Sequence, residues 1–180
     1  MRKILIGAVV GGVILFIWQS LSFMVTNLHA KAFQYTPKQT EIMDYLNKTL
    51  TEEGSYLLPN SPETATMDEA MASMEAAKGK PWASISYHKA QDGNMTMNMV
   101  RGLIVNFIAV GLLCWILVRL NLPTFNTILL GSIFTGLIVF LNAPYTQFIW
   151  YESFDIWAYF ADAIVGWGFV GVWLGYWLRK

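Results

Sequence analysis

The chain reads as a membrane all-α bundle of four transmembrane helices, with a small extracytoplasmic α+β domain inserted between helices 1 and 2. Three observations lead there. Four apolar stretches each approach the roughly 20 residues that a helix needs to cross hydrocarbon. One polar insert, residues 26–98, separates the first from the second. The composition is 55% hydrophobic and only 13% charged, where soluble domains carry about 25% charged residues.

The charge balance excludes one class of partner. Twelve basic and twelve acidic side chains cancel, and no Lys/Arg cluster forms a nucleic-acid footprint. The lone cysteine, Cys114, lies in an apolar run. One thiol has no internal disulfide partner and no C-x-x-C metal or redox spacing, so it reads as a small buried apolar residue.

The first span is placed at residues 4–25. Arg2 and Lys3 precede it, and Ala30-Lys31-Ala32 mimics a cleavage site. Its apolar core exceeds the roughly 7–15 residues of a signal peptide, so it reads as an uncleaved anchor. In the insert, Thr36-Pro37 opens a helix with Ile42, Tyr45, Leu46 and Leu50 at helical spacing. Ser55 to Leu58 fits a strand. A second helix follows Ser61-Pro62-Glu63, with Met67, Met71 and Met74 on one face and Gly79 as its stop. Trp82 to His88 alternates like a strand and is expected to pair with Met95 to Met99 as a hairpin across Gln91-Asp92-Gly93-Asn94. An insert of this size buries a marginal core by itself.

The second span covers residues 99–120 and the third 124–141, the latter bracketed by Pro123 and Pro144, where helix boundaries are expected. An outer aromatic loop, residues 142–155, leads to the fourth span at 156–178. Basic residues favour the cytoplasmic side of short connections. Arg2 and Lys3, Arg119 beside the Asn121-Leu122-Pro123 turn, and Arg179 with Lys180 all fall on one side. The predicted arrangement is a multi-pass inner-membrane protein with both termini cytoplasmic and residues 26–98 periplasmic.

Asp162 is the sharpest single chemical signal. It stands about six residues, roughly 9 Å, inside the fourth span, where carboxylates are rare and are usually paired or functional. Arg101 enters the second span from the same side, which makes an intramembrane Arg101–Asp162 pair the leading expectation. A hydrated interfacial Asp162, or one that handles protons or ions, is the alternative. Asn106, Gln19 and Thr135 read as interhelical hydrogen-bond partners. His29 and His88, even with Glu152 or Asp155, share no ligand spacing, so no metal site is assigned; they read as solvent-facing or hydrogen-bonded.

Small residues mark helix-packing faces: Gly7 and Gly11 in the first span, and Gly168, Gly171 and Gly175 in the fourth, with Gly166 nearby. The fourth span's strip is expected to lie against the first. Trp150, Tyr151, Phe154 and Trp157 belong to an aromatic belt at the outer interface. The methionine face reads as core against the sheet, or as a pliable partner-binding surface.

Two spans flanking a mixed insert, a tight inner turn and a short outer loop resemble the claudin-like topology. The resemblance is architectural: that family's Trp and paired-cysteine signature has no counterpart here. The Tyr56-Leu57-Leu58-Pro59 run and the Trp82 to His88 strand also look like those of uncharacterised small bacterial four-helix inner-membrane proteins. Neither resemblance implies an activity. No nucleophile–base pair, catalytic residue or cofactor fingerprint stands out. The expected function is that of a non-enzymatic accessory or interaction subunit of a larger membrane assembly, with lipids, other membrane subunits or itself as partners. The alternative is a small transporter or lipid/quinone-binding protein using Asp162 and the outer aromatics.

Overall fold

The computed structural model describes residues 1–121 and 123–179. Leu122 of the predicted turn and Lys180 of the basic terminus lie outside the described residues. The chain divides into two units, Met1–Gln34 with Gly93–Lys180, and Tyr35–Asp92. Residues 26–34 and 93–98, read from sequence as part of the insert, thus fold with the helices.

Four helical segments are long and apolar enough to cross a membrane: Arg2–Val25, Met95–Leu117, Phe125–Trp150 and Ile156–Leu178. The first is α1 (Arg2–Ser20), which widens into a π-helical turn over Leu21–Val25. α4 (Met95–Leu117), α5 (Phe125–Phe140), the short α6 (Thr146–Trp150) and α7 (Ile156–Leu178) complete the helical unit. α1 packs between α4 and α7, and α7 packs between α1 and α5. Leu15, Val110, Cys114, Ile128, Val170 and Leu174 form the core where these helices meet.

The third span runs further than its sequence suggested. Pro144 does not end it. The helix widens into a π-helical turn over Leu141–Tyr145 and continues as α6. Asn142 Nδ2 donates to the Ile138 carbonyl at 3.1 Å and Thr146 Oγ1 to the Leu141 carbonyl at 2.8 Å. Neighbouring side chains thus engage carbonyls around a proline that brings no N–H, one of the ways a membrane helix tolerates proline.

The second unit contains α2 (Gln39–Thr49), β1 (Gly54–Leu58), α3 (Met67–Ala77) and β2 (Ala83–Tyr87). The strands pair antiparallel, with Tyr56 opposite Ile85 and Leu58 opposite Ala83. This corrects the expected hairpin. Residues 95–99 are not a strand but the first turns of α4, because Asn94 caps that helix by accepting the Met97 N–H at 3.0 Å and Met is a good helix former. Thr66 caps α3 in a reciprocal box with Glu69. Gly79 adopts a φ of +73° just beyond α3, a conformation that favours glycine. Among the described residues of this unit only Tyr87 is buried; its hydroxyl donates to Asn47 Oδ1 and ties β2 to α2.

Candidate functional site

The candidate site starts from the way α1 ends. The Thr26 N–H reaches back five residues to the Leu21 carbonyl at 2.8 Å, and its hydroxyl donates to the same carbonyl at 3.1 Å. Asn27 then takes a φ of +51°, a left-handed conformation that Asn tolerates better than most side chains. The Leu28 N–H closes the reversal on the Ser22 carbonyl at 3.0 Å. The chain folds back on itself, and His29 is buried at 6% exposure.

α7 supplies the other half. Asp155 occupies the position before its first turn, where a carboxylate is favoured by the helix dipole. Its side chain caps no helical N–H and goes instead to His29 Nδ1 at 2.8 Å. Asp162, seven residues on, lies on the same face two turns away. Its Oδ2 is 3.1 Å from His29 Nε2, and its Oδ1 accepts from Trp18 Nε1 at 3.0 Å. The His29 and Asp155 side chains are each 4% exposed and that of Asp162 15%. Phe23 stacks on the imidazole at 3.8 Å between centroids, and Tyr159 meets it edge-on at 4.7 Å.

A neutral imidazole offers one N–H; a protonated one offers two. Carboxylate oxygens stand within hydrogen-bonding distance of both ring nitrogens, so the ring is engaged on its two sides at once. The arrangement is an Asp155–His29–Asp162 clasp, buried at His29 and Asp155 and partly buried at Asp162, that fastens the end of α1 to α7. Gly166 makes the approach possible: a Cβ there would lie 2.7 Å from the Trp18 ring. Both nitrogens face carboxylates at hydrogen-bonding distance, which leaves no room for an ion between them. Among the described residues no group of three His, Cys, Asp or Glu is arranged to hold a metal.

No family model, curated protein or solved structure matches the chain. The site is therefore read from its own residues.

The Arg101–Asp162 pair does not form. Asp162 is held by Trp18 and His29, while Arg101 is exposed and makes no ion pair among the described residues. An imidazole delivered by the reversal after α1 takes the place expected for the guanidinium. Spacing gives no warning of this, because His29 meets Asp155 and Asp162 only through the left-handed turn at Asn27. The one usable signal was a His just past one span and two Asp at the start of another, on the same predicted side.

Elsewhere, Asn106 Nδ2 donates to Gln19 Oε1 at 2.7 Å, linking α4 to α1. Thr135 instead donates to the Gly131 carbonyl of its own helix at 2.8 Å. The glycine strip of α7 is not covered by α1. A Cβ on Gly171 would meet Leu129 and Ser132, and one on Gly175 would meet Phe125, all on or at the start of α5; Gly168 faces open space. Gly7 and Gly11 do face α7, through Leu174 and Val170, but lie closer still to Cys114 and Val110 of α4. Trp150, Tyr151, Phe154 and Trp157 are all exposed around the start of α7. Met67, Met71 and Met74 are 62–76% exposed, so they are not core.

Proposed function

We propose that this chain is a non-enzymatic accessory subunit of a larger inner-membrane assembly, anchored by its four spans and presenting residues 35–92 to a partner on the periplasmic side. The observation that carries this reading is the bare methionine face of α3. An isolated helix of 11 residues is marginal in water. Leaving Met67, Met71 and Met74 in solvent gains nothing from burial. A flexible thioether face of this kind suits docking on an irregular apolar surface. The self-contained clasp agrees, since three of its four carboxylate oxygens are already engaged and it serves to fasten helices. The positive-inside distribution supports the orientation.

The test is purification from native membranes in a mild detergent, with Met67, Met71 and Met74 together changed to Glu. The parent should carry a membrane-protein partner at fixed stoichiometry, and the variant should insert and fold but lose it. A parent that purifies alone, or a partner indifferent to the three changes, overturns the proposal.

A second reading is a small transporter or a lipid- or quinone-binding protein working at Asp162. It is favoured by a carboxylate within α7 that is held beside a buried histidine and a second, buried carboxylate, because ionisable groups within a span usually mark function. It requires His29→Gln to abolish a proton- or solute-dependent signal in vesicles holding the purified chain, while insertion is kept.

A further inference from the structure

Toward the end of the helical unit opposite the clasp, α1, α4 and the residues just beyond α4 line an apolar groove of about 940 Å³. Its origin is a contrast in side-chain size. Ala8 and Gly111 form the floor, a Cβ on Gly111 lying 3.5 Å from that of Ala8. Leu5, Leu112 and Trp115 are among its walls. The groove lies on two helices that are long and apolar enough to span a membrane.

The mouth differs from the walls. Arg2 and Arg119 stand there, both exposed. Arg119 lies over the Trp115 ring at 3.3 Å from its centroid and donates one N–H to the Trp115 carbonyl at 2.7 Å. That contact fixes the guanidinium at the rim and leaves four of its five N–H groups uncommitted. Neither arginine makes an ion pair among the described residues. Residues 1–25, 99–141 and 163–180 contain no Asp or Glu. A guanidinium fork matches the geometry of a phosphate.

We infer that this groove is a binding site for one anionic glycerophospholipid, with its phosphate between Arg2 and Arg119 and an acyl chain along Leu5, Ala8 and Leu112. Charge complementarity identifies the occupant. A second copy of this chain would bring the same uncompensated arginines against themselves, and a zwitterionic lipid would leave them unneutralised. Basic pockets between spans are a recognised form of lipid selectivity. The inference is independent of the partner proposed for α3.

The test is native mass spectrometry of the full chain in dodecyl maltoside, titrated with dioleoyl phosphatidylglycerol and, separately, with dioleoyl phosphatidylcholine. One phosphatidylglycerol should be retained in preference to phosphatidylcholine. Arg2→Gln with Arg119→Gln should weaken it about 25-fold, given roughly fivefold per cation at a membrane surface. Both side chains are exposed, so the variant should keep its melting temperature in lipid-free detergent. Should the double variant melt early, Arg2→Gln alone provides the same reading at roughly fivefold. Equal retention of the two lipids, unchanged binding in the arginine variants, competition by soluble glycerol phosphate as strong as by the lipid, or a dimeric mass that excludes lipid would each overturn the inference.

Discussion

His29 and Asp162 are 133 positions apart and meet at 3.1 Å, joining the turn after the first span to a point two turns inside the last. Asp155 holds the other side of the same ring at 2.8 Å. A group that binds one buried and one partly buried carboxylate at once is hard to replace. His29→Ala should therefore destabilise the chain by about 3–5 kcal/mol, the usual result of leaving buried charge unpaired. Detergent melting of His29→Ala, Asp162→Ala and the double variant should show coupling above about 1 kcal/mol. Arg101→Ala with Asp162→Ala should instead be additive to within roughly 0.5 kcal/mol. Coupling in the second cycle and none in the first would dissolve the clasp.

The clasp depends on a backbone conformation as much as on its ionisable groups. Asn27→Val places a β-branched residue at a φ of +51°, at a cost of about 1–2 kcal/mol. Asn27→Gly should be tolerated. Melting temperatures in that order, with slower amide exchange around residue 29 in the glycine variant than in the valine variant, are the expected result.

Glycine substitutions should sort by neighbour. A Cβ on Gly136 would run into the Ala163 carbonyl and the Trp167 ring, whereas one on Gly168 meets nothing within 4 Å. Gly136→Ala should cost about 1–3 kcal/mol through overpacking. Gly168→Ala should be neutral, or stabilising by up to about 1 kcal/mol through helix propensity. Equal effects at the two sites would contradict the packing described.

Asn106 and Gln19 form a single interhelical bond at 2.7 Å. Changing Asn106 alone to Leu strands the Gln19 amide and should cost about 1–2 kcal/mol. The double change to Leu should recover most of it, since removing both partners of a hydrogen bond is nearly neutral when shape is kept. A double variant weaker than the single one would assign the pair a further role.

Acid should loosen the start of α3 by a route confined to Glu69. Its carboxyl is held below the ordinary 4.5, first by the backbone N–H of Thr66 and then by the Thr66 hydroxyl. A depressed folded value means that the stabilisation is fully present above about 4.5 and fades as pH falls through the lowered value. Amide protection factors at residues 66–70 should fall across that window in the parent. Glu69→Gln should flatten the profile.

The helical layout was legible because each span is a long apolar run closed by polar or proline-containing segments, and length alone separates such runs from soluble helices. What escaped was conformational detail that rests on single side chains. Pro144 was expected to end a helix, but Asn142 and Thr146 engage nearby carbonyls and the helix continues. Residues 95–99 alternate like a strand, yet Asn94 caps them into α4. The polar pairing failed for a different reason. The Arg101–Asp162 expectation rested on depth in the membrane, which ranks candidates by height and says nothing about rotation around each helix. The methionine spacing was read correctly as one helical face, but periodicity alone does not tell whether a face meets core or solvent.

The order of packing has a consequence for biosynthesis. Of the four long helices α7 leaves the ribosome after the others, and it is also the one that covers α1 on one side and α5 on the other. Until it arrives, α5 has only slight contact with α4, and the turn after α1 holds His29 with neither carboxylate present. On the four-span arrangement proposed above, the early helices wait as a partly assembled set. A stalled or truncated product would therefore expose an unpaired imidazole and the open α5 face, which are features a quality-control protease can recognise.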